Sequence, residues 1–143
     1  MAISLKVLLR DAKGRILILR SKPGGMLRKS WDFPGGRIDT HEQGRPIPVI
    51  IKREIREEVG SGVRYTLQTM PITYGRLMDF SKRYGHHPPI LYLFFEAAYR
   101  GGEISISPEH SGYTWIRMTN NNCSHYFSGV MLEAMKQYLQ KNL

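Results

Sequence analysis

Cysteine occurs once in the 143 residues, at Cys123. A single thiol cannot close an internal disulfide or supply a thiolate cluster for a metal, so a disulfide scaffold and a thiolate-cluster metal centre are both excluded. Long apolar runs are also missing. The longest, Ile90 to Phe95, has strand length and falls far short of the ~18–20 residues that cross a bilayer as a helix. The opening M-A-I-S-L-K-V-L-L-R-D lacks the basic region, sustained apolar core and small-residue cleavage site of a secretory signal. A cytoplasmic address without a membrane partner is the expectation. No five basic residues are consecutive, and neither repeats nor low-complexity segments occur, so a disordered basic tail is excluded.

Acids are scarce relative to bases. Asp and Glu number 12 against 21 Lys and Arg, giving a formal charge of +9 and a pI near 9.9. Such a surface field attracts anions, whether nucleotides, nucleic acid or an acidic membrane. The hydrophobic share of 41% and charged share of 23% fit a globular chain, and the length predicts one domain over residues 1–143.

Residues 3–9 and 15–20 are apolar runs separated by D-A-K-G, which predicts a hairpin of buried strands. W-D-F-P-G-G leads from a short extended piece into a second glycine turn, with Trp31 and Phe33 expected in the core. From Pro48 the spacing becomes helical: Ile51, Ile55 and Val59 lie four apart, and Gly60 suits the stop. Residues 63–75 and 89–99 predict two long strands joined by D-F-S-K-R-Y-G-H-H-P, and Tyr113 to Ile116 a further short one. Phe127, Val130, Met131, Ala134 and Tyr138 form one stripe of a helix over 124–140. The order predicts an α/β fold, a mixed sheet flanked by helices in an α/β/α sandwich.

Three acids crowd the first helix of this basic chain. Glu54, Glu57 and Glu58 stand at i, i+3 and i+4, which predicts one acidic face opposite the Ile51, Ile55 and Val59 stripe. Such a cluster beside a glycine turn suits a hard cation, Mg²⁺ or Mn²⁺; an E-x-x-E-E string alone equally suits a solvated helix face. Arg53 can reach Glu57 at i+4, while Arg56 points elsewhere. Arg37, just after Gly36, is a candidate phosphate contact.

The wider context is more specific. From Gly36, five residues lead to Glu42, and R-E-I-R-E-E-V-G follows at 53–60. This closely resembles the Nudix box, G-x5-E-x7-R-E-U-x-E-E-x-G-U with U aliphatic, and the chain is identified as a member of the Nudix hydrolase family on that pattern. Two departures stand out: ten residues instead of seven separate Glu42 from Arg53, and Ser61 replaces the final aliphatic residue, for which Val63 is a substitute. The resemblance implies hydrolysis of a nucleoside diphosphate linked to another group, with water attacking phosphorus. It also implies Mg²⁺ ligation by Glu57 and Glu58, by Glu54 as a further ligand or base, and by the Gly35 carbonyl, with Arg53 orienting the carboxylates. A further glutamate before a late strand is implied as base or ligand, and S-P-E-H-S-G-Y-T-W-I offers Glu109; Glu103 suits a turn.

Other residues leave alternatives open. Phe80, Lys82, Arg83 and Tyr84 form either a lid that stacks on a base and grips phosphate or an ordinary loop. His86, His87 and His110 suit substrate contact or plain loop positions better than metal. The expected substrate is a nucleotide or another diphosphate, with nucleoside triphosphates, dinucleoside polyphosphates, nucleotide sugars and 5′-triphosphorylated RNA sharing the linkage. The positive charge tilts toward polyphosphates or RNA ends. A non-catalytic nucleotide- or RNA-binding module and a homodimer also remain open.

Overall fold

A computed structural model describes residues 1–22, 31–78 and 88–141. Among these residues eight strands form one mixed sheet: β1 (Ala2–Arg10), β2 (Ile16–Ser21), β3 (Trp31–Asp32), β4 (Gly35–Arg37), β5 (Arg64–Leu67), β6 (Thr73–Met78), β7 (Ile90–Gly101) and β8 (His110–Ile116). Helix α1 (Ile47–Val59) follows a 3₁₀ turn at Thr40–Glu42, and α2 (Cys123–Tyr126) and α3 (Gly129–Lys141) follow β8. The longest pairing is parallel, β1 with β7 from Ala2↔Ile90 to Arg10↔Ala98; the others are antiparallel.

Alternation along β1 explains the layers. Leu5, Val7 and Leu9 face one way and pack with Ile50, Ile51, Ile55 and Val59 of α1. Leu8 faces the other way and joins Phe33, Phe94, Phe127, Met131 and Tyr138 under α3. Both sides are apolar because both are covered by helices, as the expected α/β/α sandwich requires. Phe33 stacks on Phe127 at 4.7 Å and takes its expected core place; Trp31 is half-buried and meets Tyr126 edge-on.

The expected hairpin of β1 and β2 is reduced to its closed end. Asp11 builds the turn, accepting from the Lys13 and Arg15 backbones, but the register joins the two strands only at Arg10↔Ile16. Beyond that point residues 31–37 span the opening: β3 pairs with β2, and β4 pairs with β1. The second glycine pair is therefore a strand, not a turn. A Cβ on Gly35 would stand 1.9 Å from the Leu5 carbonyl oxygen, so glycine there permits close strand approach.

Two predicted elements are divided. The strand expected over 63–75 breaks at residues 68–72, which contain Pro71, although Gln68 and Ile72 still donate backbone hydrogen bonds to β7. The helix expected over 124–140 breaks where Phe127 turns extended and Gly129 adopts φ +59°. Burying Phe127 against Phe33 requires that change of direction.

Candidate active site

Helix α1 ends at Gly60, whose φ of +112° releases the chain, and Pro48 lies in its first turn, where a missing N–H costs nothing. The acids do not lie opposite the apolar stripe as predicted. Glu54 is buried at 6% exposure and Glu58 is largely buried, whereas the Glu57 side chain is 59% exposed. Residues 54 and 58 are i+4 from Ile50 and Glu54 respectively, so they flank the packed stripe and enter the edge of the site.

Arg53 organises the acids. Its Nε and Nη2 donate to Glu42 at 2.6 and 2.5 Å, Nη2 also donates to Glu54 at 2.9 Å, and Nη1 donates to Glu57 at 3.0 Å. Glu42 is 2% exposed and further accepts the Asp39 backbone N–H at 3.0 Å. With the three extra residues before Arg53, Glu42 still reaches that arginine; Ile47 and Pro48 are absorbed into the start of α1. The Arg53 hydrogen bonds hold the Glu42 carboxyl down near 2 against the opposing effect of burial. For Glu54, burial outweighs Arg53 and raises the pKa.

Gly36 gives Glu54 its space, because a Cβ there would meet the two carboxylate oxygens at 2.7 and 2.8 Å. Glu58 is in a different position. Burial, opposed by Lys6 and reinforced by Asp32, Glu54 and Glu109, pushes its carboxyl up to about 8. Its Oε2 is buried without a hydrogen-bond partner among the described residues; His110 Nε2 lies 3.6 Å away. His110 opens β8, and burial lowers its pKa against the pull of Asp32 and Glu109. The preceding loop is tied to α1 by Ser105 N–H to the Val59 carbonyl and Ser107 N–H to the Glu58 carbonyl. This docking places exposed Glu109 within electrostatic reach of Glu58.

Of the other expected residues, Gly35 pairs with Lys6 across β4 and β1, and half-buried Arg37 pairs with Ser4, close enough to lower the Tyr92 pKa against a larger effect of burial. Lys82, Arg83, Tyr84, Phe80, His86 and His87 lie outside the described residues. Among the described residues no three His, Cys, Asp or Glu side chains form a metal-holding group. Arg53 occupies oxygens of Glu54 and Glu57 that would have to turn toward a cation. The donor chemistry nevertheless fits Mg²⁺: the oxygens are hard, and one buried oxygen of Glu58 has no partner.

Sequence reasoning missed Lys6 and Asp32. Lys6 Nζ donates to Asp32 Oδ2 at 2.8 Å, and both side chains are largely buried. Burial depresses the Lys6 pKa, but the Asp32 charge and hydrogen bond more than offset this and leave it raised. The available signals were a single charge inside the apolar run I-S-L-K-V-L-L and an aspartate between two core aromatics.

These features define an opening between two strands of the sheet at which an arginine gathers box carboxylates against a glycine strand. The NUDIX domain family model matches residues 2–126, and the chain belongs to that family. A nucleoside triphosphatase, NudI, from Escherichia coli O139:H28 is 27% identical over 96 residues; the match covers 65% of this chain and 65% of that relative's length. The fold is shared with a MutT protein from Methanosarcina mazei Go1 (TM-score 0.74, 19% identity, covering 99% of this chain and 94% of that one). It is also shared with a MutT NUDIX hydrolase from Burkholderia pseudomallei (TM-score 0.66, 20% identity, covering 95% and 96%).

Proposed function

We propose that this chain hydrolyses the pyrophosphate linkage of a nucleoside diphosphate joined to another group, with Mg²⁺ as cofactor and Mn²⁺ as a substitute. The observation that carries the reading is the buried Glu58 Oε2, without a hydrogen-bond partner among the described residues, on the helix whose other carboxylates Arg53 orders. Leaving such an oxygen unpaired costs about 1–3 kcal/mol, more when charged, and a bound cation removes that cost. Glu54, Glu57, Glu58 and the Gly35 carbonyl are the proposed ligands. Bound there, Mg²⁺ supplies charge neutralisation for phosphate oxygens and acidifies water.

The chain's own residues do the rest. Arg53 fixes the carboxylates from below, with Glu42 as its anchor. Glu109, on the loop docked to the end of α1, receives the proton of the attacking water or adds a ligand. Arg37 contacts phosphate, and Lys82, Arg83 and Tyr84 are proposed as further substrate-binding residues. The name of the E. coli relative favours nucleoside triphosphates as the first substrates to test. The charge of +9 favours a second substrate class, RNA 5′-triphosphate ends.

The test is a panel of nucleoside triphosphates, dinucleoside polyphosphates, nucleotide sugars and triphosphorylated RNA with Mg²⁺, with Glu57→Gln as control. Turnover of one class, lost in the variant, is expected. Binding without turnover across the panel would replace the enzyme by a nucleotide- or RNA-binding module.

A further inference from the structure

Lys6 is the one charged residue between Ile3 and Leu9, and its neighbours Leu5 and Val7 are fully buried. Its own exposure is 7%. Desolvating an ammonium costs several kcal/mol, and pairing it with Asp32 recovers part of that; a buried ion pair is accordingly a poor device for stability alone. An ammonium carries three donors, and among the described residues Lys6 has one hydrogen-bond partner, Asp32.

Its position gives the remaining donors meaning. Lys6 sits where β1 and β2 have separated, paired across strands with Gly35; a Cβ on Gly35 would stand 3.0 Å from the Lys6 Cα. The ammonium reaches Asp32 on the segment that spans this opening. Its charge is felt at Glu54, Glu58, His110 and Tyr92, so it is a cation within electrostatic reach of the acids of the candidate active site. Within electrostatic reach of these under-used donors is an acceptor, Glu58 Oε2, that has no hydrogen-bond partner among the described residues. Direct Lys6–Glu58 pairing would satisfy both, and no such bond is formed among the described residues. A group with several oxygens and negative charge would satisfy the lysine without competing for the carboxylates.

We propose that Lys6 is the cation of a phosphate subsite, giving the two donors not used by Asp32 to non-bridging oxygens of the substrate's diphosphate. The proposal rests on the hydrolase reading and deepens it. A compact ammonium with rotatable donors suits a tetrahedral oxyanion, and Asp32 keeps it from swinging out. The diphosphate would then be held from two sides, by this fixed cation and by the cation-binding carboxylates.

The probe is inorganic pyrophosphate, added with Mg²⁺ to the ¹⁵N-labelled protein. The Lys6 ammonium resonance, assigned by its loss in Lys6→Met, should shift on saturation. Lys6→Met should bind pyrophosphate at least tenfold more weakly and raise KM more than it lowers kcat, and Lys6→Arg should recover part of the loss. An unshifted Lys6 signal, or unchanged pyrophosphate affinity in Lys6→Met, overturns the proposal and leaves a structural ion pair. A shift caused by a phosphate-free nucleoside and not by pyrophosphate overturns it in favour of a base contact. Should Lys6→Met fail to fold, the Lys6 ammonium signal of the unsubstituted protein, assigned by through-bond correlation, still decides. Pyrophosphate response without hydrolysis of any nucleotide would refute the hydrolase reading while leaving the phosphate subsite standing.

Discussion

Replacing Gly36 with alanine should separate the geometry of the acids from the stability of the fold. The new Cβ would lie 2.7–2.9 Å from the Glu54 carboxylate atoms. Comfortable heavy-atom contacts need ~3.5–4.0 Å, so Glu54 must retreat by roughly 0.7 Å or more. The carboxylate ends a flexible side chain, and an off-rotamer adjustment costs about 0.5–1.5 kcal/mol, which corresponds to a fall in Tm of roughly 2–5 °C in a chain of this size. The 2.9 Å bond from Arg53 to Glu54 Oε1 is lost while the Glu42 pair stays. Catalytic geometry tolerates such displacement poorly, and a loss on the order of 10²-fold in kcat/KM is expected. Gly35→Ala supplies the contrast, because its Cβ would strike backbone at 1.9 Å with φ at +139°; a destabilisation on the order of 4 kcal/mol or more follows. Thermal melts and hydrolysis assays on both variants measure the split. Wild-type activity in Gly36→Ala, or a Tm loss matching that of Gly35→Ala, would refute the assignment of that space to Glu54.

Two further outcomes concern acid and metal. The folded pKa of Glu42 lies near 2, below its ordinary value of 4.5, so its contribution to stability is full above 4.5 and lost as pH falls toward 2. Denaturant titrations between pH 2 and 6 should show that decline flattened in Glu42→Gln, and an unchanged slope would dismiss the Arg53 pairing as its cause. Mg²⁺ at a hundred times its Kd should add ~2.7 kcal/mol and raise Tm by about 8 °C. Chelator should reverse this, and Glu58→Gln should abolish it; a full Mg²⁺ response in that variant would remove Glu58 from the ligand set.

The periodic elements were legible because their signals are local. The four-residue spacing of Ile51, Ile55 and Val59 predicted α1, and the box letters marked the Arg53 cluster before any contact was known. Breaks set by distant packing were not legible: the chain turns at Phe127 because Phe33, nearly a hundred residues earlier, receives the ring. Gly35 and Gly36 illustrate the same limit. Glycine signals a turn locally, yet here one glycine admits the Leu5 carbonyl and the other a carboxylate from α1. Lys6 and Asp32 were hidden because nothing in either segment indicates that they pair across 26 positions.

The parallel pairing of β1 with β7 carries a consequence for the order of assembly. Every pair in that ladder joins residues 88 positions apart, from Ala2↔Ile90 to Arg10↔Ala98. Closing such a loop costs entropy before any hydrogen bond repays it, and contacts this distant in sequence slow the folding of small domains. On the ribosome the strand made first therefore waits for one made much later. At about 5–20 residues per second that interval is several seconds, during which an apolar strand lacks its principal neighbour. Lys6, a charge in the middle of that strand, interrupts the apolar run that is exposed while it waits.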